Sequence, residues 1–145
     1  MKTLIILLAL VPSLANAADT WGSLNLTSLH SRTENAMNQR NYGLGIEYHA
    51  SSDVLYLAGA YRNSYEKTSV YALAGWAPVE VGIARIGVLG GLVNGYPKRN
   101  NAGVTPAVAG IVLIEGERVG MNLILIPPPL KKSPFTLGLQ VKFKF

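Results

Sequence analysis

The stretch Phe135-Thr136-Leu137-Gly138-Leu139-Gln140-Val141-Lys142-Phe143-Lys144-Phe145 alternates apolar and polar residues without a break. Phe135, Leu137, Leu139, Val141, Phe143 and Phe145 share one face of an extended chain, and Thr136, Gly138, Gln140, Lys142 and Lys144 share the other. A side-chain period of two marks β-structure. A strand that crosses a bilayer takes roughly 9–11 residues. One face this apolar, set against one this polar, fits a strand between lipid and a barrel interior. An amphipathic strand of a soluble sandwich alternates in the same way, so the rest of the chain has to decide.

Working back from this strand, seven more stretches read as strands between turn signals. They lie at about 22–30, 42–50, 54–62, 68–76, 81–93, 106–114 and 118–126. In the second, Tyr42, Leu44, Ile46 and Tyr48 alternate with Gly43, Gly45, Glu47 and His49. The expectation is an all-β, eight-stranded antiparallel up-and-down transmembrane β-barrel, an even count and the smallest common size. Connections alternate too. Ser51-Ser52-Asp53, Ala77-Pro78 and Glu115-Gly116-Glu117 read as tight turns, whereas 31–41, 63–67, 94–105 and 127–134 are longer or more polar. That asymmetry separates periplasmic turns from extracellular loops, and it puts His30, Asn63 and Ser64 on one outer rim. Tyr42, Tyr48, Tyr65, Tyr71, Trp76 and Tyr96 fall near strand ends, where most read as an interfacial aromatic girdle. A barrel of this size is filled by side chains or holds one small ligand. The many glycines leave the inner face short of bulk, which leans toward a cavity.

The other end of the chain points to export. Met1-Lys2, the apolar run Leu4 to Val11 and the small-residue site Ala15-Asn16-Ala17 form a secretory signal peptide over 1–17, with one barrel domain over 18–145. The apolar run is too short for a transmembrane helix. Mean hydropathy is nonetheless positive, as expected where inward polar residues dilute a lipid-facing apolar set. Cysteine is absent and there are only two histidines, so disulfides, thiolate sites and a metal centre are not expected, nor is a cofactor. The formal net charge is +5. The basic pairs Lys98-Arg99 and Lys131-Lys132 are loop charges that could also attract anionic head groups. Nothing resembles a nucleic-acid motif, and a closed barrel has no free edges, so it can be a monomer.

Placing the rim residues brings out a family resemblance. Arg62-Asn63-Ser64-Tyr65-Glu66-Lys67, running into Ala74-Gly75-Trp76, resembles the Asp-Ser-aromatic corner and the Gly-Trp strand of the lipid A palmitoyltransferase (PagP) family. Leu29-His30-Ser31-Arg32 is similar to that family's Trp-His-Asn-Arg segment, and Ile124-Leu125-Ile126-Pro127 to its Tyr-Ile-Pro. The closing Val141–Phe145 resembles its aromatic C-terminal strand, and a terminal Phe resembles the signal read by the outer-membrane assembly machinery. The resemblance implies that His30 and Ser64 stand at catalytic positions, with Asn63 where the family has Asp. It implies that Gly75 floors an acyl pocket. It also implies that Pro106 and Pro127 leave neighbouring strands unpaired for sideways passage of a lipid. Proline, with no N–H for the ladder, weakens it locally. Two features depart from the family: Asn63 cannot be an anionic partner for an imidazolium, and Ala18–Trp21 is too short for the family's N-terminal helix.

Acyl transfer needs a hydroxyl nucleophile, a base and oxyanion donors. His30 fits the base, Ser64 the nucleophile or an oxyanion donor, and Asn63 an orienter or oxyanion donor. Arg32 and Arg62 could hold a phosphate. Asn-Ser in a loop is also ordinary turn chemistry. His49, beside a tight turn at the opposite end, reads as structural. Three functions stay open. One is an outer-membrane acyltransferase moving a chain from a phospholipid to lipid A or a similar hydroxyl of lipopolysaccharide. Another is a non-catalytic barrel for binding, adhesion or membrane integrity. The last is a lipid A deacylase, with Glu34 as the acidic partner it would need.

Overall fold

A computed structural model describes residues 19–31, 38–97, 100–128 and 135–145. The segment 1–17 read as a signal peptide, Arg32, Glu34 and both basic pairs lie outside these residues. Eight strands form one closed barrel in sequence order: β1 (Thr20–His30), β2 (Gly43–His49), β3 (Val54–Arg62), β4 (Thr68–Val81), β5 (Ala84–Val93), β6 (Thr105–Glu115), β7 (Val119–Ile126) and β8 (Thr136–Lys144). Every neighbouring pair is antiparallel, and β8 closes on β1 from Trp21↔Lys144 to His30↔Thr136. The alternation of residues 135–145 is realised in β8, where Gln140 and Lys142 are buried inside and Phe143 faces out.

The outward face carries Leu44, Tyr56, Val70, Trp76, Val88, Leu92 and Val108, all at least half exposed. Such a face suits hydrocarbon rather than water. Inside, the lumen is divided. Leu55, Leu57, Leu89, Ile111 and Leu113 fill the side made by β3, β5 and β6. Ser23, Asn25, Glu47, Asn122, Gln140 and Lys142 line the side made by β1, β2, β7 and β8. At least eight of these side chains, Leu55 and Lys142 among them, are within 2% of full burial, so no water-sized void adjoins them. The interior at these levels is packed rather than hollow, which corrects the expectation of a cavity. The glycines make room for bulk from other strands. A Cβ on Gly45 would lie 2.5 Å from the Tyr71 hydroxyl, and one on its partner Gly59 2.7 Å from it. Tyr71 therefore crosses the lumen, and its place there corrects its assignment to the girdle. Tyr42, Tyr48 and Trp76 do face outward.

Ala77-Pro78 is not a turn. β4 runs on to Val81, and its register with β5 shifts between Trp76 and Val79. Proline is tolerated in such a bulge because the extra residue needs no ladder hydrogen bond. The chain reverses instead at Gly82-Ile83, between the paired Val81 and Ala84. Gly82 has φ +60°, which suits the first central position of a primed two-residue turn. The other two tight turns stand where expected, closed by Ala50 N–H to Val54 O (2.9 Å) and Gly116 N–H to Val119 O (2.9 Å).

Candidate functional site

β1 brings His30 to the rim through an irregularity. Up to Asn25 the odd-numbered residues face inward, as the buried Trp21 and Ser23 do. The pairing with β8 then shifts between Asn25 and Thr27. The extra residue resets the parity, so that Ser28 and His30 turn inward and Leu29 turns out.

Ser64 arrives from the corner after β3, and Asn63 builds that corner. Its Oδ1 accepts from Tyr65 N–H (2.9 Å) and Lys67 N–H (3.1 Å). Its Nδ2 donates to Ser69 Oγ (2.9 Å) and to Gly95 O (2.7 Å). With this set made and no exposed surface, Asn63 neither touches His30 nor points an N–H at a substrate. It holds the turn that presents Ser64, in place of the orienting or oxyanion role expected of it.

His30 and Ser64 meet, with Nε2 and Oγ 3.1 Å apart. The other ring nitrogen, Nδ1, lies 2.9 Å from Thr136 Oγ1. Ser28 Oγ stands 3.3 Å from Nε2 and donates to Asn41 Oδ1. Asn41 Nδ2 in turn donates to Arg62 O (2.8 Å). Asn38 ties the preceding loop to the same place, its N–H bonded to Ser64 O at 3.0 Å. Ser28, Asn41 and Thr136 were not singled out in the sequence. The inward parity of Thr136 on the regular β8 was the available signal for one of them; the bulge in β1 hides that of Ser28.

The remaining predicted residues lie apart. Arg62 is largely exposed and sits 3.8 Å from Glu66; it helps line a shallow depression of about 430 Å³ with Tyr42, Ala60, Tyr61, Glu66 and Thr68. Gly75 faces inward, but Leu55 and Leu89 close over it: an added Cβ would meet Leu89 Cδ2 at 2.7 Å and Leu55 Cδ2 at 2.9 Å. It is a packing contact rather than the floor of an open pocket. Pro106 lies outward on β6 and stays paired with Leu92 of β5. On the other edge of β6 the ladder to β7 ends at Gly110↔Leu125, and Pro127 and Pro128 follow β7 directly.

At the opposite end, the end of the short turns, a second polar cluster crosses the lumen. Lys142 Nζ lies 2.5 Å from both Glu47 Oε1 and Glu115 Oε1. Arg85 Nη2 donates to Glu115 Oε2 (2.7 Å) and faces His49 Nδ1 at 3.4 Å. A guanidinium only donates, so His49 Nδ1 accepts and Nε2–H donates to Glu47 Oε1 at 2.6 Å. Glu47, His49 and Glu115 bring ligand-type atoms within 4.8 Å of one another. The Lys142 ammonium already takes the place between the carboxylates, so the group is a charge-balanced tie rather than a donor set awaiting a cation.

The fold is similar to known transmembrane barrels. Across 90% of this chain it matches a de novo designed barrel, TMB2.3, solved by NMR in solution (TM-score 0.61, 12% identity, 97% of that chain). It likewise matches the crystal structure of the N-terminal β-barrel domain of Pseudomonas aeruginosa OprF over 90% of this chain and 100% of that one (TM-score 0.52, 17% identity). No protein-family model and no curated protein matches the sequence. At these identities the likeness establishes an outer-membrane-type barrel and carries no chemistry.

Proposed function

We propose that the chain is an exported barrel of the bacterial outer membrane that transfers acyl chains between membrane lipids at its long-loop rim, as the lipid A palmitoyltransferase family does. The observation that carries this reading is the 3.1 Å approach of His30 Nε2 to Ser64 Oγ, made between the end of β1 and the corner after β3, at the rim where lipid head groups would lie. When Nε2 carries a lone pair, His30 takes the Ser64 proton as Oγ attacks a phospholipid ester carbonyl. The ester C–O bond breaks, His30 returns the proton to the departing lysophospholipid oxygen, and the acyl chain is left on Ser64. A hydroxyl of lipid A or a similar acceptor then gives its proton to His30 and attacks the acyl-serine; the bond from the acyl carbon to Ser64 Oγ breaks, and His30 returns the proton to Ser64 Oγ. Arg62, exposed at the same rim, and Arg32 are proposed to hold a head-group phosphate. The unpaired edge of β6 beside Pro127 is the proposed path from the membrane. Because Leu55 and Leu89 occupy the lumen at Gly75, the donor's acyl tail stays in the membrane and only its ester reaches the rim.

The non-catalytic reading has one observation in its favour, the packed lumen. Mass spectrometry of lipid A from cells expressing the chain, its His30→Ala variant and its Ser64→Ala variant separates the functions. An added acyl mass that vanishes in both variants is expected. A lost acyl mass would assign a deacylase instead, and an unchanged spectrum with a folded barrel would overturn lipid modification altogether.

A further inference from the structure

The hydrogen bonds around His30 form a chain whose direction is set at one end. Arg62 O is a backbone carbonyl and can only accept, so the Asn41 atom facing it at 2.8 Å is the amide nitrogen. Asn41 Oδ1 is thereby turned toward Ser28 and accepts the Ser28 hydroxyl proton. Ser28 Oγ then has only lone pairs to offer the ring nitrogen 3.3 Å away, and that nitrogen completes the bond only if it bears a proton. A neutral imidazole carries one proton, so Nδ1 accepts from the Thr136 hydroxyl at 2.9 Å. Ser28 and Asn41 are both buried, where an unmatched pair of lone pairs is not relieved by water.

We propose that Ser28 and Asn41 are positioning residues that hold resting His30 with its proton on Nε2, so that the His30–Ser64 pair is switched off until the relay is broken. In that form Nε2 faces Ser64 as a donor and cannot take its proton. Segment 38–41 lies against β1 just above the last β1–β2 ladder pair, Asn25↔Gly43, and is tied to it by Ser28 N–H to Gln39 O (3.0 Å). A lipid that displaces this segment removes Asn41 from Ser28. The Ser28 hydroxyl then turns, the ring proton moves to Nδ1, and Nε2 is freed for Ser64. The proposal rests on the acyl-transfer reading for its consequence, but not for its chemistry.

The test is nitrogen NMR of the full chain, labelled with ¹⁵N-histidine, in lipid nanodiscs at about pH 8, where an unperturbed histidine is neutral. The His30 signals are assigned by their loss in His30→Gln. The wild type should show Nε2 protonated. Ser28→Ala and Asn41→Ala should each shift the tautomer ratio toward Nδ1–H by about two- to tenfold, the range that one neutral hydrogen bond supports. Ser28→Ala should raise the rate of acyl transfer by a similar factor with KM unchanged. A wild-type Nδ1–H form, or a ratio unmoved by both variants, overturns the proposal. A loss of transfer in Ser28→Ala despite a shifted ratio overturns the off-switch. If the ratio shifts as expected while no form of the protein modifies lipid, the relay stands and the acyl-transfer reading falls.

Discussion

At the scale of single residues, the rim is governed by which polar atoms are already committed. Asn63 illustrates this. An aspartate there would keep the bonds from Tyr65 and Lys67 N–H but would face the Gly95 carbonyl with a second acceptor where Nδ2 now donates at 2.7 Å. Asn63→Asp is therefore expected to cost about 1–3 kcal/mol, the desolvation penalty of a buried group left unmatched, and to loosen the Ser64 corner. Urea unfolding in micelles and the His30 signal read those two effects separately. The resemblance in the sequence singled out position 63, but the orienting or oxyanion-donor role read for its amide is not open to it, because both amide atoms are committed to the corner. What residue spacing could not convey is where each amide points, because that depends on Ser69 and Gly95, which reach the corner from β4 and from beyond β5. The same limit hid the ion cluster. Glu47, His49 and Lys142 were legible as inward positions of their strands, but their meeting with Arg85 and Glu115 depends on barrel closure.

At the scale of elements, alternation foretold the strands well wherever the ladder is regular. β3 has the bounds its pattern suggested, and β8 lacks only the terminal Phe residues at either end. It misled where a bulge interrupts the pattern. Ala77-Pro78 carries turn chemistry in its composition, yet the Val79-Glu80-Val81 segment after it still finds partners on β5 and keeps the strand going. In β1 the shift after Asn25 reverses parity, so the inward placement of His30 cannot be obtained by counting from Trp21. Where no bulge intervenes, the outward set should show the depth dependence of a membrane-facing surface. Val88 lies mid-strand on β5 and Val81 at the short-turn end of β4, and the two are similarly exposed, at 55% and 57%. Val88→Lys is expected to destabilise the barrel by about 2–4 kcal/mol and Val81→Lys by about 0–1 kcal/mol. Unfolding titrations in phospholipid vesicles check the difference; equal costs would mean that this face does not sit in a bilayer.

At the scale of the whole molecule, the barrel has two chemically distinct ends. The short-turn end is tied across by Lys142, Glu47 and Glu115. The long-loop end carries His30, Ser64 and the hydrogen-bonded hydroxyls around them. A catalytic rim that takes lipid from the outer leaflet must face away from the periplasm, so function and orientation stand or fall together. The chain contains no cysteine, which makes orientation directly measurable. Asn101 in the loop after β5 and Ser52 in the turn after β2 are both exposed and lie at opposite ends. In intact cells, Asn101→Cys is expected to react with a membrane-impermeant maleimide, and Ser52→Cys only after the outer membrane is permeabilised. The opposite pattern would leave the barrel intact but turn the His30–Ser64 rim toward the periplasm, where the outer-leaflet hydroxyls of lipid A are out of reach. A reaction that acts only on inner-leaflet phospholipid would then replace transfer to lipid A.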